Sequence, residues 1–225
     1  MPLRLTTVTM KWTCILFDLD GTILDSAPGI TETLAWTFAQ LGRPIPTPAE
    51  LLAYVGPPIL DSFRDLAFMS PAESAQALEV YRSRYLQHGV FDSAVYPGIP
   101  ELLKRIAVSG IPLSLATSKP ELPAITMLNH FDLTRYFDVI TGASADEVRS
   151  RKADVVEEAL ARLRHIGANV TNPVMVGDRK HDVQGAAEHG VPTILVKWGY
   201  GSKVEEVGTF AVVKTAEQLG TLLLG

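Results

Sequence analysis

Hydrophobic residues along this chain come in short unbroken runs. Those at 13–17, 112–116, 137–140, 173–177 and 193–197 are continuous rather than alternating, as expected for strands of a parallel sheet covered on both faces. Between most of them the apolar spacing turns helical, at 98–109, 120–130, 152–164 and 181–189. Gly110 and Gly190 stand just past helix ends, where a left-handed cap is wanted. Strands alternating with helices predict a doubly wound α/β fold with a parallel sheet. A further strand at 210–213 and a terminal helix complete the expectation.

One connection breaks this rhythm. Between Ser26 and Gly98 no strand signal appears, and segments 28–41, 47–54, 58–68 and 71–87 read as amphipathic helices. Ile30, Leu34, Trp36, Phe38 and Leu41 fall mostly on one side of the first. Thr47-Pro48-Ala49-Glu50 offers an N-cap, a proline at N1 and a glutamate at N3, and Ser70-Pro71-Ala72-Glu73 repeats it. The pattern predicts an all-helical domain, 27–95, inserted into a core made of 12–26 and 96–225.

Composition narrows the partners. The 225 residues are 47% hydrophobic and carry a net charge of −5. Without a concentrated basic face, nucleic acid is not an expected partner, whereas small anions are. No run reaches the roughly 18 apolar residues of a membrane span. The N-terminal MPLRLTTVTMKW lacks a signal-peptide apolar segment. Residues before about Lys11 extend past what the fold needs. The single cysteine, Cys14, reads as a buried structural thiol in a reducing compartment. These features predict a soluble cytoplasmic protein, monomer or homodimer.

In open α/β sheets ligands bind beyond the carboxyl ends of the strands. The first strand ends in "CILFDLDGTILDS", which carries Asp18 and Asp20. The second leads to Thr117-Ser118-Lys119. A polar loop after the third leads to Arg151-Lys152. The fourth ends in "GDRKHD", with Asp178 and Asp182. Four distant segments thus bring acids, a hydroxyl and a lysine to one sheet edge.

The set "DLDGT", Thr117, Lys152 and "GDRKHD" resembles the haloacid dehalogenase superfamily, in the phosphatase branch with a helical cap after the first motif. "TSKP", "SRKADVVEEAL" and "GDRKHDVQGA" further resemble its phosphoglycolate phosphatase and 5′-nucleotidase-like group. The resemblance implies a Rossmann-like core and Mg²⁺-dependent hydrolysis of a small phosphorylated metabolite through an aspartyl-phosphate. It implies a metal held by carboxylates of Asp18 and Asp178 and the backbone carbonyl of Asp20, with Asp182 supporting the metal's waters.

The chemistry of each residue fits these roles. A phosphate ester needs an attacking atom, cations against developing charge and an acid for the leaving oxygen. Asp18 fits the nucleophile, and an oxygen-rich surrounding suits Mg²⁺. Asp20 faces the same site if the strand direction persists, as general acid and then base, with Gly21 allowing a sharp exit and Thr22 holding Asp20 by a hydrogen bond. Thr117 fits a donor to phosphate oxygens, helped by the Ser118 N–H. Lys152 opens a helix, where a cation opposes the dipole by about 0.3–1 kcal/mol; it is expected to bridge Asp18 and the phosphate.

Other residues stay open. Lys119 reads equally as a substrate contact or a solvated lysine. His181 reads as a solvated surface histidine. "VGPPI", Val55 to Ile59, reads as a cap segment facing substrate or an ordinary turn, and Arg64 as a cap cation. Hinges are expected near Ser26-Ala27-Pro28 and Tyr96-Pro97-Gly98. Competing readings are a phosphomutase of the β-phosphoglucomutase type, a binding module on the same scaffold, and a dehalogenase, which Asp20 argues against.

Overall fold

The first apolar run becomes β1 (Cys14–Phe17), the central strand of a six-stranded sheet. The computed structural model describes residues 12–225; the expectations about the segment before Lys11 lie outside these. Along the chain come β2 (Leu24–Asp25), α1 (Ala27–Gln40), α2 (Pro48–Leu52), α3 (Ile59–Asp65), α4 (Pro71–Tyr85), β3 (Ala94–Val95) and α5 (Ile99–Ser109). After these stand β4 (Leu113–Pro120), α6 (Glu121–His130), β5 (Val139–Ala143), α7 (Lys152–His165), β6 (Pro173–Gly177), α8 (Lys180–Ala187), β7 (Thr193–Val196), β8 (Ala211–Val213) and α9 (Ala216–Leu224).

The sheet order is β5-β4-β1-β6-β7-β8, parallel throughout. The chain leaves β1 toward β4 and β5, then crosses back to β6, so the topology reverses around β1. Side-chain alternation along β1 explains its unbroken hydrophobicity. Ile15 and Phe17 join one core cluster with α1, α5, α6 and α9 residues, while Cys14 and Leu16 join another beneath α7 and α8. Burial pushes the Cys14 thiol up to about 11, as expected for an inert structural cysteine.

Register aligns the site. Phe17 pairs with Val176 on β6 and with Leu115 on β4. Asp18, Thr117 and Asp178 therefore emerge at the same end of neighbouring strands, which lie about 4.8 Å apart.

Two differences from the expected elements bear on function. The strand at 112–116 runs on to Pro120. From Ala116 to Pro120 on β4 the partner strand advances only from Thr141 to Ala143. Thr117-Ser118-Lys119 thus forms a bulge, which frees these residues from the ladder and aims them at the sheet edge. Second, β2 and β3 pair antiparallel as a ribbon that periodicity did not reveal, with Leu24 opposite Val95 and Asp25 opposite Ala94. All of α1 to α4 stands between its strands.

Both capping boxes form: Thr47 with Glu50 opens α2 and Ser70 with Glu73 opens α4. Ile30, Leu34 and Phe38 are buried as expected. Trp36 is half-buried instead, with the Arg84 guanidinium 5.2 Å from its ring centroid. No helix among the described residues is long and apolar enough to cross a membrane.

Candidate active site

The backbone turns sharply after β1. The Leu19 carbonyl accepts the N–H groups of Thr22, Ile23 and Leu24 at 3.3, 2.9 and 3.0 Å. Gly21 sits at φ +79°, and a Cβ there would lie 2.3 Å from Asp178 Oδ2. A glycine is required twice over, for the left-handed backbone and for the close approach of the acid.

Asp18 is buried, and its Oδ1 accepts from Lys152 Nζ at 2.6 Å. The same ammonium lies 2.7 Å from Asp182 Oδ1 and donates to the Ala116 carbonyl at 3.1 Å. Lys152 opens α7 as expected, and the carboxylates explain why a lysine is held there. Burial opposes its charge, but Asp18 and Asp182 outweigh that and keep its pKa above the ordinary lysine value. The neighbouring Arg151 is exposed and pairs with Glu188.

Asp18, Asp178 and Asp182 place carboxylate oxygens within 4.8 Å of one another. Burial raises the Asp18 carboxyl to about 7 despite Lys152, with Asp182 and Asp20 adding to the rise. Asp178 is raised well above the carboxylate range, by burial and then by Asp182 and Asp18. Asp178 Oδ2 accepts the Tyr200 N–H at 2.6 Å, while its buried Oδ1 meets no hydrogen-bond partner. Three acids facing one lysine leave the cluster short of positive charge. A hard divalent cation such as Mg²⁺ fits this all-oxygen donor set. Asp182 enters the cluster through its tie to Lys152, and its Oδ2 also accepts the Asp178 and Arg179 N–H groups.

Asp20 is handled differently. Its carboxylate accepts from the Ser26 hydroxyl and lies 3.1 Å from Lys119 Nζ. Thr22, expected to hold Asp20, is fully buried, and its Oγ1 meets no hydrogen-bond partner. The main chain makes the turn, and Thr22 contributes its carbonyl, which accepts the Trp198 indole N–H at 3.0 Å.

Lys119 is not solvated. It is buried, donates to the Tyr85 hydroxyl at 2.8 Å and stands 4.7 Å from that ring's centroid. Thr117 is buried and its Oγ1 accepts the Lys119 N–H at 3.2 Å, which leaves its own proton to donate. Ser118 borders two cavities at the strand ends, one beneath helices α3 and α4 and one between α3, α7 and α8.

Other expectations change. Arg64 pairs with Asp61 one turn away on α3 and does not line the cavity beneath the helices; Arg82 on α4 does. His181 is half-buried, and burial and then Arg179 lower its pKa. In the "VGPPI" segment, Gly56, Pro57 and Ile59 do line that cavity, and the Val55 carbonyl accepts from Arg179 at 2.7 Å.

Tyr200 was not anticipated. Its hydroxyl donates to Asp25 Oδ1 at 2.8 Å and accepts the Ser26 and Ala27 N–H groups at 2.8 and 2.9 Å. It thus ties the loop after β7 to the start of α1. The strand-end rule that singled out the other motifs, applied to the fifth run, leads to Trp198-Gly199-Tyr200.

Comparison with known proteins agrees with this geometry. The family model of haloacid dehalogenase-like hydrolases matches residues 15–196. The chain is 39% identical over 204 residues to the tyrosine-protein kinase PtkA of Mycobacterium tuberculosis, spanning 90% of this chain and 68% of that protein. It is 36% identical over 196 residues to a 5′-nucleotidase of Pseudomonas aeruginosa, 87% of each. A crystal structure described as a predicted phosphatase from Clostridium acetobutylicum superposes with a TM-score of 0.89 at 33% identity, covering 95% of this chain and 99% of that one.

Proposed function

The chain belongs to the haloacid dehalogenase-like hydrolases and is a phosphatase of that family; from this we propose that it hydrolyses small phosphate monoesters with Mg²⁺, through an aspartyl-phosphate on Asp18. The observation that carries the reading is the division between two carboxylates. Asp18 is locked against Lys152 beside two further acids, while Asp20 is held apart by Ser26 and Lys119. One is set to attack and the other to exchange a proton.

In the first step an Asp18 carboxylate oxygen bonds to phosphorus. The ester P–O bond breaks, its electron pair leaves on the ester oxygen, and that oxygen takes the proton of Asp20. In the second, water attacks the phosphorus of the aspartyl-phosphate, Asp20 takes a proton from it, and Asp18 is released. Lys152 neutralises charge on the transferring group, and the Thr117 hydroxyl with the Ser118 N–H bonds its oxygens. The carboxylates of Asp18 and Asp178 and the Asp20 carbonyl would hold Mg²⁺, with Asp182 behind them; when bound, the ion offsets the charge of the phosphate dianion.

Residues 12–26 and 96–225 act as the core and 27–95 as a cap that moves about the β2/β3 ribbon. The name of the mycobacterial relative denotes transfer to a tyrosine; a cavity of about 230 Å³ beneath the helices favours a small ester here. Phosphate release from a panel of esters, with Mg²⁺ or chelator, in wild type and Asp18→Asn, tests the reading. Mg²⁺-dependent release lost in the variant supports it. Release unaffected by Asp18→Asn, or no release, refutes it, and an isomerised sugar phosphate in place of free phosphate marks a mutase.

A further inference from the structure

The cavity beneath the helices, about 230 Å³, opens on Asp20, Ser118 and Lys119. It therefore receives the part of the ester that leaves, an identification that rests on the phosphatase reading above. Its walls include Tyr54 and Tyr81, with Ile59, Leu78 and Leu86 from the helices and Leu122 from α6. Tyr81 stacks on Tyr85, ring centroids 5.2 Å apart and planes 13° apart.

The charged groups of this cavity answer one another. Lys119 faces Asp20 and the Tyr85 hydroxyl. Arg82 forms an ion pair with Glu147, which reaches in from the core with its side chain only 9% exposed. Glu147 holds a left-handed backbone, φ +61°, uncommon for a residue with a side chain. Among the described residues, then, the cavity's guanidinium is already matched by a carboxylate, and its ammonium is held by Asp20 and the Tyr85 hydroxyl. A leaving group that carries its own carboxylate would find Arg82 already paired and would face Glu147. An apolar ring would gain the walls, and there is room for one: an apolar cavity of about 150 Å³ suffices for benzene.

We propose that the preferred substrate is the phosphate monoester of an uncharged, ring-bearing alcohol or phenol, and that the Arg82–Glu147 pair excludes carboxylate-bearing esters such as phosphoglycolate.

The test compares benzyl phosphate, ethyl phosphate and phosphoglycolate with Mg²⁺. All three leave as primary alkoxides, so the ring and the carboxylate are what differ. Burying the ring is expected to raise kcat/KM for benzyl over ethyl phosphate on the order of 100-fold, with phosphoglycolate below ethyl phosphate. Glu147→Gln frees the Arg82 guanidinium, and phosphoglycolate is expected to gain about tenfold relative to benzyl phosphate. Phosphoglycolate hydrolysed as well as benzyl phosphate overturns the proposal while leaving the phosphatase intact. Equal rates for benzyl and ethyl phosphate also overturn it. A ratio unmoved by Glu147→Gln overturns the role given to the ion pair. Hydrolysis of none of the three while other esters of the panel release phosphate overturns the proposal alone; no release from any ester of the panel removes the phosphatase reading itself.

Discussion

The strand-end cluster and the cavity beneath the helices adjoin at Asp20, yet they treat charge in opposite ways. Around Asp18 the fold buries three carboxylates against one lysine and leaves an oxygen of Asp178 without a partner. Under the helices, Lys119 meets Asp20, and Arg82 meets Glu147. The first region is unbalanced and suited to a cation and a phosphate; the second is balanced and suited to a neutral body. The contrast separates two tasks. On the proposed reading, the strand ends handle the phosphoryl group, and side chains brought in by α4 and the loop after β5 choose its ester partner.

The strongest way to break this contrast is Asp18→Asn. On the proposed mechanism it is expected to lower kcat by at least about 10⁴-fold on every ester alike, in steady-state phosphate release. Lys152→Met comes next. It leaves Asp18 and Asp182 buried without their ammonium, and a loss of about 3–5 kcal/mol is expected in urea unfolding with chelator present, with turnover down roughly 10³-fold.

Asp20→Asn sharpens the division of labour. In kcat/KM, which reads only the first step, a drop of about 10²–10⁴-fold is expected for benzyl phosphate, and a much smaller one for 4-nitrophenyl phosphate, whose leaving oxygen needs no proton. Equal losses on both would deny Asp20 the acid role.

Glu205 tests the core side, from which its partner Arg179 also reaches the Val55 carbonyl. Against the cost of its partial burial, the N–H groups of Lys180 and Ser202 and the Arg179 guanidinium hold its carboxyl at about 2. The folded value lies below the unfolded one, so its stabilisation is present above pH ~4.5 and lost as pH falls toward 2. Allowing for solvent screening, Glu205→Gln is expected to cost roughly 1–2 kcal/mol at pH 7 and almost nothing at pH 2, in urea melts across pH. The smallest effect is expected for Arg82→Ala: KM for a neutral ester rises a few-fold while kcat holds, since a partly exposed ion pair contributes about 1 kcal/mol or less.

Much of the strand-end cluster was legible in the sequence. Continuous apolar runs located the buried strands, and the polar residues just beyond those runs supplied Asp18, Thr117 and Asp178; Lys152, at the end of a longer polar loop, was separated from Arg151 only by its resemblance to the family pattern. Helix-start signatures were equally local: Thr47 and Ser70 cap where their spacing to Glu50 and Glu73 demands. The cavity was far less legible, because its properties arise from packing between distant segments. Nothing near Lys119 in sequence announces Tyr85, and Arg64 and Arg82 look alike until α3 keeps one on Asp61 and α4 delivers the other to Glu147. Thr22 misled for a related reason. The turn after β1 satisfies itself through the Leu19 carbonyl, so the hydroxyl was not needed for it. The strands of the β2/β3 ribbon are too short to show a period at all.

The bulge in β4 has a consequence for how the gene tolerates change. Between Ala116 and Pro120 the strand spends two residues more than β5 does between Thr141 and Ala143. Two is one full alternation of a strand's side chains, so the chain rejoins its neighbour with the same residues facing the same way. Deleting any one of Thr117, Ser118 or Lys119 would turn Pro120, the last residue of β4, to the opposite face and pull the start of α6 out of place. Deleting two would restore an unbroken ladder and erase the bulge that aims this segment at the sheet edge. At this stretch, substitutions are expected to be graded in effect and single-codon deletions all-or-none.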